Sequence, residues 1–149
     1  MPPLVSGQTS PVWFACQLTI SSHWREPRVK PVFPPLLREA AVEGVVQVEY
    51  VVDERGRVDT ASIGIRRSPH RLFTDAARAA LMQWSATVPR RHGVAARELR
   101  VTEFRFGFTD SVPNSCVQPR TRVRVGPLVA DEVLVCAKGP VSKHAEIAR

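Results

Sequence analysis

Residues 44–66 read GVVQVEYVVDERGRVDTASIGIR, and this stretch decides the fold. Val46, Val48, Tyr50 and Val52 fall on one parity, with Gln47 and Glu49 on the other. A period of two marks a strand with one buried face. Asp53-Glu54-Arg55-Gly56 then supplies turn chemistry, with Gly56 free to take a positive φ. Apolar residues alternate again through Ala61, Ile63 and Ile65, while Val58 is out of step, which predicts a slip or bulge near Asp59. The stretch is therefore expected to form an antiparallel hairpin. A lone hairpin is marginal in water, so a third strand or a helix must lie against it.

The flanks offer both. Before the hairpin, Pro31-Val32-Phe33-Pro34-Pro35 leads into a short helix expected over Leu36–Val42, with Gly44 placed to end it. After it, Thr74 is the expected N-cap of a second helix, with Asp75 in its first turn. Phe73, Ala77, Ala80, Leu81 and Trp84 share one face of that helix, a spacing that reads as core. Trp84, Tyr50, Val48, Ile63 and Leu81 are expected to be buried together. Glu98–Phe108 reads as a further strand, with Leu99 and Val101 on one parity and Phe104, Phe106 and Phe108 on the other. That parity change predicts a bulge, or a strand apolar on both faces at different points, and it suits an edge that meets a partner.

The element order is helix, strand, strand, helix, strand. A right-handed crossover through the second helix places the first strand in the centre. The expected fold is α+β, a three-stranded antiparallel sheet in the order 2-1-3 with two helices on one face and the third strand as a free edge. Residues 1–30 form an irregular arm, 31–110 the domain, and 111–149 a tail. In that tail Val123–Val125 and Val133–Val135 suggest an extra hairpin around Gly126 to Asp131.

The formal charge of +7 invites a nucleic-acid reading. Residues 31–110, however, carry 12 Lys/Arg against 10 Asp/Glu, so the excess sits in the tails and not on one face. A counterion-releasing surface needs concentrated charge, and Arg90, Arg91, Arg97 and Arg100 are not expected to form such a site. Three cysteines (Cys16, Cys116, Cys136) and four histidines show no metal-ligand spacing. Cys116 and Cys136 flank the tail hairpin and can pair in an oxidising compartment; two unrelated thiols is the plainer reading. Neither a nucleophile-and-base set nor a glycine-rich phosphate loop is present, so no catalytic residue, cofactor or metal is expected. No stretch approaches the ~20 apolar residues of a membrane span, and the chain is expected to be soluble.

Taken together, several of these residues resemble the C-terminal domain of the TonB family of energy transducers. The match lies in Phe33-Pro34 followed by Ala40, Glu43-Gly44 leading into the Val-rich strand, and Val52–Val58 across the turn. It continues through Asp75-Ala76-Ala77, Trp84, the basic Arg90-Arg91-His92-Gly93 loop and Phe104-Arg105-Phe106. It departs after the second helix, where the family usually has Trp-Arg-Phe-x-Pro and this chain has Trp84-Ser85-Ala86-Thr87-Val88-Pro89. The resemblance implies a periplasmic, non-catalytic domain that couples energy to transport by gripping the N-terminal peptide of outer-membrane transporters. By family analogy the peptide adds to the edge of the last strand, here Val101, Thr102, Glu103, Phe104, Arg105 and Phe106. Arg28 and Lys30 fall where family members also touch the transporter. An inner-membrane proton-channel complex is implied only with an upstream membrane helix, and homodimerisation by strand exchange is left open. Alternatives are a truncated or decayed module without a transport role, and a small basic nucleic-acid-binding domain. If the tail were to fold back, Val123–Val125 or Val133–Val135 would occupy the edge; an open edge is the expectation.

Overall fold

The computed structural model describes residues 11–110, Cys116, 123–125 and 128–140. Its strands are β1 (Val12–Trp13), β2 (Gly44–Val52), β3 (Val58–Arg67), β4 (Arg90–Arg91), β5 (Val94–Ala95), β6 (Arg97–Phe108), β7 (Val123–Val125) and β8 (Leu128–Ala137). The helices are α1 (Pro35–Glu39) and α2 (Arg71–Leu81), with a single 3-10 turn at Ala15–Gln17.

The β2–β3 hairpin forms as its alternation requires. Asp53 Oδ1 accepts from the Arg55 and Arg57 amides at 2.9 and 3.0 Å, and Gly56 takes φ 79°. The slip near Asp59 is present: Glu49 pairs with Gly64, but Val51 pairs with Asp59. Ser62 fills the irregularity, accepting from the Val51 amide at 2.8 Å and donating to the Asp59 carbonyl at 2.6 Å.

Along the path β3-β2-β6 the strands keep the expected order, with β2 in the centre. The sheet does not stop there, and the three-stranded expectation is corrected: six strands run β3-β2-β6-β8-β7, with β1 also on β6. The reason lies in the tail. β8 presents Val133 and Val135 to the same layer as Phe104 and Phe106 through the register Phe104↔Val133 and Phe106↔Val135, and all four are buried. β6 itself runs without a bulge, from Gly44↔Phe106 to Val52↔Glu98 against β2. Its parity change instead reflects two cores. Phe104, Phe106 and Phe108 belong to the helix-side cluster, and Val101 joins Leu128 and Ala130 on the opposite face.

Both helices cover the first face. α2 buries Phe73, Ala77, Ala80 and Leu81, and Trp84 follows at its end, 4% exposed. Val48, Tyr50 and Leu81 are fully buried beside them, whereas Ile63 only packs against the cluster's margin. The helix begins earlier than expected. His70, not Thr74, is the N-cap, its Nδ1 accepting from the Leu72 amide at 3.0 Å. α1 is shorter than Leu36–Val42, since Ala41 turns to φ 55°. Gly44 is thus not a helix stop but the first residue of β2, and a Cβ there would lie 2.6 Å from Pro69 Cγ and 2.9 Å from the Phe73 ring. An aromatic chain then seals the layer, with Phe33, Phe73, Phe106 and Phe108 at ring-centroid spacings of 4.5 to 5.7 Å.

Candidate strand-addition edge

The outer edge of β6 is set by β2 on its inner side, so its outward amides need another partner. The Thr109 amide donates to the Ala137 carbonyl at 3.0 Å, which fixes the parity: the amides of Val101, Glu103 and Arg105 aim at β8. β8 pairs with β6 in parallel from Val101↔Ala130 to Phe108↔Ala137, and β1 pairs in parallel with Arg97 and Glu98 just before. The free edge expected at Leu99–Phe108 is therefore corrected, since the chain's own arm and tail cover it. β7 pairs antiparallel with β8 from Val123↔Ala130 to Val125↔Leu128, so residues 128–131 belong to the strand and not to the turn expected around Gly126 to Asp131.

The grip on β8 is specific. Asp131 accepts from Trp24 Nε1 at 3.2 Å and from Arg100 Nη2 at 2.7 Å. Lys30 Nζ donates to the Leu134 carbonyl at 3.2 Å, and Arg38 Nε to the Lys138 carbonyl at 2.8 Å. Arg105 pairs with Glu132 at 3.1 Å, and the Gly139 amide donates to Asp110 Oδ1 at 3.0 Å. A disulfide joins Cys136, in β8, to Cys116, with their Cα atoms 5.8 Å apart.

Of the residues singled out by sequence, Val101, Thr102, Glu103, Phe104 and Phe106 are buried and Arg105 is half-buried. Thr102 meets the Tyr50 hydroxyl at 2.8 Å, and Glu103 accepts from Gln47 Nε2 at 2.7 Å. Lys30 sits on the covering strand. The Arg28 guanidinium lies 4.7 Å from the Trp84 ring, and its Nε pairs with Glu26 at 3.0 Å.

Sequence reasoning missed the arm's role. Ser21 Oγ, the Ser22 amide and Ser22 Oγ all donate to the Glu98 carboxylate, at 2.8, 2.8 and 2.7 Å. Arg100 Nη1 donates to the Ser22 carbonyl at 2.7 Å while its guanidinium lies 5.0 Å from Trp24. Burial works against the charge on Arg100, but Tyr50, Asp131 and Glu98 outweigh it and its pKa is raised. In the sequence, the signal of this docking is Trp24, a large aromatic residue in an otherwise irregular arm. The basic loop is likewise committed. It turns β4 into β5 through His92 and Gly93 at φ 52° and 80°, and Arg91 lies 4.1 Å from the Trp13 ring. Arg97 pairs with Asp59 at 2.6 Å and with Glu54 at 3.3 Å.

A family model described as Gram-negative bacterial TonB protein C-terminal matches residues 29–108, more than half of the chain. The chain belongs to this family. The matched region ends with β6, so both β1 and the β7–β8 hairpin lie outside it. Among solved structures, the chain is similar to the solution NMR structure of the TonB C-terminal domain of Pseudomonas aeruginosa, at 27% identity and a TM-score of 0.43. That similarity covers 54% of this chain and 81% of the other. A comparison with curated proteins gave no match. Among the described residues of this TonB-family chain, no helix is long and apolar enough to cross a membrane.

Proposed function

We propose that this TonB-family domain is a non-catalytic peptide-binding module of the periplasm. It engages the N-terminal peptide of outer-membrane transporters by strand addition to β6 over Val101–Phe106, with Lys30 and Arg28 beside the site, and so couples to energy-dependent transport. Main-chain hydrogen bonds would supply the affinity and the pockets for alternate side chains the choice of peptide. The observation that carries this reading is that β6 already holds an added strand over those residues. The edge is thus shaped to take an extended chain, and β8 is the occupant that a transporter peptide must displace. An intramolecular strand has a large effective-concentration advantage, so binding to the whole chain is expected to be weak.

The test is titration of peptides from transporter N-termini against the whole chain and against a form ending at Asp110, with circular dichroism to show that the shortened form keeps its fold. Binding should strengthen by at least tenfold when the tail is removed. A folded, tail-free domain that ignores every such peptide would overturn the proposal.

A further inference from the structure

We infer that the Cys116–Cys136 disulfide is a site of thiol–disulfide exchange through which a dithiol reductant uncovers the β6 edge. Three observations carry this. The first is covalent topology. Cys136 stands opposite Gly107 in the β6–β8 register, and Cys116 follows Phe108, the last residue of β6, by only eight positions. With the bridge intact, the path from β6 into β8 is that short tether; without it, the path runs through the whole intervening tail. The second is accessibility: Cys136 is exposed and Cys116 half-buried, so a reductant can reach the sulfur on β8. The third is that neither cysteine belongs to the buried clusters, which close through Phe104, Phe106, Val133 and Val135 on one face and Val101, Leu128 and Ala130 on the other. Breaking the bridge therefore removes a tether and leaves the core's own contacts in place.

In the exchange, a thiolate of the dithiol attacks Sγ of Cys136, the protein S–S bond breaks, and Cys116 departs as a thiolate. The reductant's second thiolate then attacks its own sulfur in the mixed disulfide and releases Cys136. Two electrons pass to the protein, whose cysteines take up the two thiol protons, and the reductant ends as a disulfide. β8 is afterwards held by non-covalent contacts: its ladder, the packing of Val133 and Val135, Asp131 between Trp24 and Arg100, the Lys30 and Arg38 contacts, the Arg105–Glu132 pair and the Gly139–Asp110 bond. Its detachment becomes a local opening with a larger population. A cross-link closing 20 residues suppresses such opening on the order of 100-fold. That an uncovered edge receives a transporter peptide rests on the function proposed above; the exchange itself does not.

Hydrogen exchange of the whole chain, with and without dithiothreitol, tests it. Alkylation first reads the bridge, since Cys16 is exposed and unpaired: one cysteine should label before reduction and all three after. Amides of Val101, Glu103 and Arg105, which face β8, should then exchange roughly 10- to 100-fold faster in the reduced chain, with those of α2 unchanged. The double variant Cys116→Ser/Cys136→Ser should exchange fast in both conditions. Three labelled cysteines without reductant, unchanged β6 exchange on reduction, or equal acceleration in α2 would each overturn the proposal. Faster β6 exchange with no peptide captured would leave the exchange site standing and count against the proposed function alone.

Discussion

Glu98→Ala should release the N-terminal arm at a large cost in stability. The carboxylate is 1% exposed and accepts three hydrogen bonds from Ser21 and Ser22, and Ser22 is itself 2% exposed. Each hydrogen bond to a charged group is worth about 1.5–3 kcal/mol, but removing the carboxylate also relieves its own desolvation. Ser22 Oγ keeps the Arg100 Nη1 contact at 2.9 Å, so only the Ser22 amide is left without a partner in the interior. Arg100 meanwhile loses one of the negative charges that support its own. The balance is about 2–4 kcal/mol, a sizeable share of the 5–15 kcal/mol typical of a whole domain. Urea unfolding followed by circular dichroism reads this as a shift of the midpoint at constant slope, on the order of 1–2 M. Fluorescence quenching should show Trp24 more accessible in the folded variant. Glu98→Gln, which keeps one acceptor oxygen, should lose about half as much. A loss below ~1 kcal/mol in the alanine variant, smaller than one charged hydrogen bond, would refute the claim that this cluster fastens the arm.

Tyr50 is the only tyrosine in the chain, so tyrosinate absorbance reports on it alone. Burial pushes its pKa well above the ordinary value, with Arg100 and Thr102 opposing. The folded state favours the neutral phenol, so stability is intact below an unfolded pKa of about 10 and falls as pH rises past it, by at most ~1.4 kcal/mol per pH unit. Tyrosinate absorbance should therefore appear only with unfolding; a native titration near pH ~10 would show that Tyr50 is not sealed. Leu81→Ala, at a residue with no exposed surface, should cost about 2–5 kcal/mol in the same urea assay. A loss under ~1 kcal/mol would mean that the helix packs by another face.

What the sequence made legible was whatever local periodicity encodes. The alternation of Val46, Val48, Tyr50 and Val52 specified β2, the turn at Asp53–Gly56 specified the hairpin, and the Phe73-Ala77-Leu81 stripe specified the buried face of α2. The docking of the arm was not legible, because Ser21, Ser22 and Glu98 carry no period and meet only in space. The same holds for Asp131 between Trp24 and Arg100. The tail was half legible. Val133 and Val135 suggested a strand, and the two cysteines flanked it, but a parallel partner is set by the complementary layer on β6 and not by any turn signal. Gly44 looked like a helix stop because glycine serves both ends of an element; the Phe73 ring and Pro69 beside it decided the matter.

Because β6 pairs on its outer side with segments from both ends of the chain, synthesis cannot assemble the sheet in the order of its strands. Ser21 must wait 77 residues for Glu98, and Asp110 another 29 for Gly139. The β2–β3 hairpin can form as it emerges, whereas β6 is complete before any residue of β8 exists. Long-range, parallel pairing of this kind is slow, in the millisecond-to-second range for small domains. The nascent domain thus passes through a stage in which the strand-accepting edge is bare, and whatever extended chain lies nearest competes with β8 to be its first occupant.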